Sequence, residues 1–356
     1  MEFSYIEKTK EYLDSIAEYF EYEPILGSTL EETILNTIVG TLKTTRLGRM
    51  PIEETRSKIL EGIKKQVDFG YPIAISSAWG AIKTATTKRK GVDLAEYLTL
   101  KQYSAINRVV KKIYEPGVVF NIYLGDAYYE YLYGYDAGIT EYCKGMKKLA
   151  ENLKEINIVG LGELYSDKIT EIKKQCDDNY ILLKEYWYES DDIDSSHHDS
   201  LASFSKLIEA KWVGKITPAM REFYLKRMSG LYPQESIIFW TEKTLRFFAY
   251  GLMVSQNDLM GRKNTFTSTI DACLLRVPPP DMPRNLYSNR IRMRVVPESI
   301  SKHSAPPWTV VGALCVEPGN RVTFKLLNNE ECKNNKIEYI QYKDINVAFL
   351  IKEESV

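Results

Sequence analysis

Between Gly70 and Gly125 the chain runs through an apolar stretch, a polar connection, an amphipathic stretch, a Pro-Gly stop and a β-branched stretch, in that order. Few arrangements use that order other than a strand–helix–strand unit with parallel strands. Tyr71 to Ile75 is short and apolar, and Val118 to Leu124 is β-branched and aromatic, as buried parallel strands require. Between them Leu100, Tyr103, Ile106, Val109, Val110 and Ile113 recur at helical spacing, and Pro116-Gly117 stops the helix. The connection from Ser76 to Thr99 therefore leaves the carboxyl end of a strand, where open α/β sheets bind ligands.

That connection carries Ser76, Ser77, Trp79, Lys83, Thr84 and the run Lys88-Arg89-Lys90, followed by Asp93 and Glu96. Hydroxyls and ammonium groups suit a phosphate or carboxylate, and Trp79 offers a flat apolar wall. Lys83 is expected as the main cation of an anion site, whereas Lys88 to Lys90 reads as a solvated basic cluster. Neither a G-x-G-x-x-G fingerprint nor a G-x-x-x-x-G-K-[ST] loop is present. Asp126 follows the second strand and reads either as a carboxylate facing a ligand or as a cap of the next helix.

Helices are expected before this unit, over residues 3–20, after a capping box at Ser28 to Glu31, and from Pro51 to Phe69. After it come a helix from Thr140, a third parallel strand over Ile156 to Gly160, and a helix from Ser166. Further helices are expected from Thr217 through Tyr232 and from Ile237 to Met260. From Ser268 onward six short β-rich runs, separated by Pro, Gly and Asn turns, suit antiparallel pairing rather than further crossovers. Arg290, Arg292 and Arg294 alternate along one of these runs, which places them on one strand face as a second anion-binding wall or as solvated charges. The fold class that follows is α/β: a Rossmann-like, partly parallel sheet flanked by helices, with an N-terminal helical lead-in and a C-terminal antiparallel β extension. One domain is expected over residues 1–356, with the lead-in at 1–69, the α/β core at 70–262 and the β-rich part at 263–356.

The 47 basic and 48 acidic side chains leave no net field to draw nucleic acid or an anionic membrane. Five scattered cysteines and three histidines, His197, His198 and His303, lack ligand spacing, so no metal and no cofactor is expected. No apolar run reaches membrane-spanning length and no signal-peptide pattern opens the chain, so a reducing cytoplasm is the expected location.

The order of these pieces resembles the isocyanide synthase family, the pyoverdine/dityrosine type. That family runs from an apolar strand through Pro-Ala-Phe-Pro-x-Lys, a Pro-Asp-x-x-Glu step, a helix, Tyr-x-Pro-Gly, a strand and an Asp-containing turn. The similar stretches here are Ser77 to Lys83, Val92-Asp93-Leu94-Ala95-Glu96, Tyr114 to Gly117 and Gly125-Asp126. Pro306-Pro307-Trp308-Thr309 is similar to the family's Thr-Pro-Trp-His. Four departures stand out: a shifted lysine, Thr309 in place of the histidine, Val277-Pro278 in place of a His-Pro pair, and Ala127 in place of an Asp-Gly-Arg turn's arginine. The resemblance implies a metal-independent reaction in which an α-amino acid amine takes its isonitrile carbon from the phosphosugar ribulose 5-phosphate. It also implies siderophore-type specialised metabolism and a downstream oxygenase. For the anion clamps this chemistry needs, the residues themselves supply Lys83 and the Arg290/Arg292/Arg294 face, and for its acid/base Asp126, Glu96 or a tyrosine; the candidate catalytic residues are Lys83, Asp126 and Glu96, with Ser76, Ser77, Trp79, Thr84, Arg290, Arg292, Arg294 and Trp308 binding substrate. The alternatives are another amino-acid nitrogen modification and a non-catalytic small-molecule binding protein.

Overall fold

The computed structural model describes residues 4–41, 52–83, 91–133, 138–164, 166–189, 235–257, 270–273, 290–292, 306–317 and 321–351, with residues 222, 225, 226 and 229. Three helices lead in: α1 (Tyr5–Ser15), α2 (Leu30–Thr41) and α3 (Ile52–Phe69). The cap of α2 sits one residue later than its sequence suggests. Thr29 Oγ1 accepts from Glu32 N, while Glu32 accepts from Ser28 N. A left-handed Gly70 (φ 68°) ends α3, with Tyr71 N donating to Gln66 O and Gly70 N to Val67 O. Those paired bonds satisfy the last carbonyls of the helix and aim the chain into the sheet.

The β-α-β unit follows as β1 (Ile73–Trp79), α4 (Leu94–Lys111) and β2 (Val118–Leu124). The first strand runs four residues past its expected end, so Ser76, Ser77 and Trp79 are strand residues and not part of a loop. Asn107 Oδ1 accepts from Val118 N, and a Cβ on the left-handed Gly117 would meet that oxygen at 2.3 Å. A glycine is therefore required where α4 hands over to β2. Short helices α5 (Asp126–Tyr133) and α6 (Ile139–Ala150), strand β3 (Ile156–Gly160), α7 (Leu161–Leu164), α8 (Ile169–Glu189) and α9 (Ile237–Asn257) continue the chain.

Two strands depart from the expected antiparallel extension. β4 (Ile270–Cys273) pairs parallel with β1, and β5 (Arg290–Arg292) pairs parallel with β4. Among the described residues the first sheet is thus five parallel strands in the order β3-β2-β1-β4-β5, growing from β1 in both directions. The second is β6 (Val311–Val316), β7 (Val322–Leu327), β8 (Lys336–Tyr342) and β9 (Ile345–Ile351), in the order β7-β6-β9-β8 and followed by no further described element. Its hairpins are antiparallel, but β6 and β9 pair parallel. The six-residue α10 (Asn329–Asn334) joins β7 to β8.

Alternation decides which face of the first sheet is core. Along β2 the buried residues are Val118, Phe120, Ile122 and Leu124, with half-exposed residues between them. Phe120 stacks on Tyr103 of α4 at 4.3 Å between ring centres. Burying a side chain of that size contributes roughly 1.5–3 kcal/mol, and the ring pair about 0.5–1.5 kcal/mol more. One continuous core holds residues from α1, α2 and α3, from the first sheet and α4, and from the inner face of the second sheet, including Phe324, Val347 and Phe349. Among the described residues no helix is long and apolar enough to cross a membrane.

Candidate functional site

Beyond β1 the chain turns Lys83 into the space between the two sheets. Its ammonium donates to Glu96 Oε1 and Oε2, both at 2.7 Å, and to Pro307 O at 2.8 Å. Asp93 Oδ2 lies 2.9 Å away. Asp93 and Glu96 are there because they start α4. The Asp93 side chain accepts from Ala95 N at 2.7 Å, and Glu96 Oε2 accepts from Asp93 N at 2.9 Å, a reciprocal cap. The second sheet and α6 close the cluster. Gly312 N donates to Asp93 Oδ1, the Tyr142 hydroxyl donates to Glu96 Oε1, and Asn346 bonds Val92 O through both its backbone and side-chain nitrogens.

Lys83, Asp93 and Glu96 are 4 %, 3 % and 0 % exposed, so the cluster is sealed. An ammonium has three N–H bonds. Here they are taken up by two carboxylates and a carbonyl, which leaves none for a phosphate or a substrate carboxylate. Lys83 as the cation of an open anion site is therefore replaced by Lys83 as the centre of an internal ion cluster. Burial pushes the Glu96 carboxyl from its ordinary 4.5 up to about 8. The Lys83 charge opposes that rise and the neighbouring Asp93 carboxylate adds to it. Two carboxylates around one ammonium carry a net negative charge when fully ionised, and one proton neutralises it.

The two tryptophans are also core. Trp79 and Trp308 are 5.8 Å apart, Trp79 lies 6.2 Å edge-on to Tyr103, and both indoles are buried. They fill the seam between the sheets, so neither forms the wall of an open site. Ser77 belongs to the same side, its Oγ accepting from Trp79 Nε1 at 3.0 Å. Ser76 does not. It lies in register with Asn121 of β2, and its buried hydroxyl has no hydrogen-bond partner among the described residues.

Asp126 occupies a different place, at the carboxyl ends of β2 and β3. Its Oδ1 accepts from Ala127 N and from Gly162 N, each at 2.9 Å, which ties the first turn of α5 to the segment after β3. A Cβ on Gly160 would meet Asp126 Oδ2 at 2.2 Å, so glycine at that strand end is what lets the carboxylate lie across it. Asp126 is half-exposed and its Oδ2 has no hydrogen-bond partner among the described residues. Beside it, burial and then the Asp126 charge push the Cys143 thiol up to about 12, against the pull of Lys147. Cys143 is held as a thiol and is a poor nucleophile.

The structure therefore brings Lys83 and Glu96 together and keeps them apart from Asp126. Arg290 and Arg292 hold register positions on β5, opposite Asp271 and Cys273; their side chains, and Thr84, Lys88 to Lys90, Arg294 and the three histidines, lie outside the described residues. So do the acidic stretch from residue 190 to 200 and all but isolated positions of the helix expected from Thr217 to Tyr232. Residues missed from sequence are Tyr142, which has no motif around it, and Asn121, whose position inside a β-branched run was a readable signal.

No protein-family model matches the chain, and no curated protein matches its sequence. Among solved structures, the fold is similar to the crystal structure of the PvcA protein from Pseudomonas aeruginosa, with a TM-score of 0.58 at 16 % sequence identity. The match covers 91 % of this chain and 100 % of the other.

Proposed function

We propose that this chain is an isonitrile-synthase-like enzyme of specialised metabolism, acting in the cytoplasm on the amine of an α-amino acid with ribulose 5-phosphate as the carbon donor. The observation that carries this reading is the convergence of two separate pieces of the sequence resemblance. The lysine of the first and the Asp-x-x-Glu of the second form one buried cluster in Lys83, Asp93 and Glu96. Residues that make a family pattern in sequence and also contact one another in space are a stronger sign of a shared design than either alone. The full-length likeness in fold to PvcA agrees with it.

In this reading the cluster is a positioning device that fixes the start of α4 against the second sheet. Proton handling at the substrate falls to Asp126, whose carboxylate is half-exposed at a strand end where α/β sheets bind ligands. A second reading, a small-molecule binding protein without catalysis, is favoured by the saturation of Lys83, because it removes the cation expected to work on the sugar phosphate. Incubation with ribulose 5-phosphate and a panel of amino acids, read by mass spectrometry, separates the two. An isonitrile or other nitrogen-modified product supports the enzyme; binding of the same compounds without product supports the second reading.

A further inference from the structure

At one register level the first sheet is polar on all five strands: Asn157 on β3, Asn121 on β2, Ser76 on β1, Asp271 on β4 and Arg290 on β5. The level before it is Ile156, Phe120, Ile75 and Ile270, and the level after it is Ile158, Ile122, Ser77, Ala272 and Ile291, where the one polar side chain, Ser77, is already bonded to Trp79 Nε1. Strands at the centre of a parallel sheet ordinarily bury apolar side chains on both faces, so a polar row across the whole sheet needs a reason. From Asn157 to Ser76 the row passes from solvent into the interior. Asn157 is exposed, Asn121 half-exposed, and Ser76 only 8 % exposed.

The hydrogen bonds along the row stop short. Asn157 Nδ2 donates to Asn121 Oδ1 at 3.0 Å, and Asn121 Nδ2 has no partner among the described residues. The Ser76 hydroxyl on the next strand has none either, although it is buried. Buried polar groups are ordinarily satisfied, and adjacent strands stand roughly 5 Å apart, a separation that lets one acceptor oxygen bridge a hydroxyl and an amide N–H.

We infer that the Ser76–Asn121 gap receives an oxyanion oxygen, from a carboxylate or a phosphate, of a small ligand lying on the face of the first sheet away from α4. The inference rests on the reading of this chain as a protein that takes amino-acid and sugar-phosphate ligands. Both donors are uncharged, so the gap orients the ligand, and the residues in register on β4 and β5 continue the row toward an acidic and then a basic position. The Lys83 cluster plays no part in it.

The test is calorimetric titration of the full chain with L-amino acids, the matching decarboxylated amines, ribulose 5-phosphate and inorganic phosphate. Ser76→Ala removes an unpaired hydroxyl, so it should melt at or above the parent while weakening binding about 10-fold. Asn121→Asp keeps the acceptor that Asn157 needs but presents a like charge to an oxyanion, and should weaken binding about 100-fold. Amino acids binding where their amines do not identifies a carboxylate; ribulose 5-phosphate and phosphate competing identifies a phosphate. Unchanged binding in both variants, which would mean an ordered water only, overturns the inference, as does a parent that binds none of the compounds or a Ser76→Ala protein that melts several degrees early. Product formation in the mass-spectrometric assay is scored separately. Ligand binding that depends on Ser76 without product leaves the inference standing and removes the enzyme reading; product with unaltered KM in both variants does the reverse.

Discussion

The two strand ends of the β-α-β unit make opposite use of acidic residues. Beyond β1, Asp93 and Glu96 are sealed around Lys83, with every ammonium N–H taken by the protein. Beyond β2, Asp126 is half-exposed and has one oxygen bonded and the other without a partner among the described residues. The difference lies in what covers each end. Pro307 and Gly312 of the second-sheet region close over the first, whereas the second is bordered by the glycines of the β3 end and by Cys143. A buried ion cluster fixes one arrangement of the parts it joins, and a half-open carboxylate is what proton transfer to a ligand needs.

The strongest way to break this contrast is at the sealed end. Lys83→Met leaves the Asp93 charge and the Glu96 carboxyl buried together without a counter-charge, and should cost about 3–5 kcal/mol in chemical denaturation. A loss below about 1 kcal/mol would mean that water reaches the cluster. At the open end Gly160→Ala pushes a methyl group into Asp126, and should cost about 1–3 kcal/mol while displacing the carboxylate from Gly162 N.

Acidity gives a third handle. Because the folded-state value of Glu96 is raised to about 8 from an ordinary 4.5, the folded chain holds a proton that the unfolded chain has released between those two pH values. The stability this contributes is fully present below pH 4.5 and is lost as pH rises through about 8, with a slope of at most about 1.4 kcal/mol per pH unit. Glu96→Gln should flatten that part of the profile, and an unchanged slope would assign the proton elsewhere. The smallest stability effect belongs to Asp126→Asn, which keeps the acceptor for Gly162 N and should change unfolding by less than about 0.5 kcal/mol. Its effect on turnover should nonetheless reach about 100-fold if Asp126 moves a proton. Equal activity in the two proteins would leave Asp126 as a tie between α5 and the β3 end alone.

How far the sequence discloses this arrangement differs from piece to piece. The second strand is readable to the residue because Gly117 and Gly125 bound a β-branched and aromatic run. The first is readable only in part, since Ser76 and Ser77 look like loop residues until a neighbouring strand and Trp79 explain them. The lysine could be picked out but its surroundings could not. Its burial depends on Pro307, more than two hundred positions away, and no local pattern reports such a contact. The same holds for β4 and β5, whose residues fit an antiparallel ribbon as well as a crossover. Parallel pairing is decided by the whole path between Gly160 and Ile270.

The central place of β1 has a consequence for how the chain is made. During synthesis β1, β2 and β3 can pair as soon as Gly160 has emerged, but the other edge of β1 waits for β4, roughly 110 residues later, or about 5–20 s at ordinary elongation rates. For that interval the strand that ends up in the middle of the sheet is an outer edge with unpaired amides and carbonyls. Lys83 likewise has no Pro307 to meet. The nascent chain passes through a stage open to pairing with its neighbours, and a holding chaperone would be needed then, before the finished protein has any use for one.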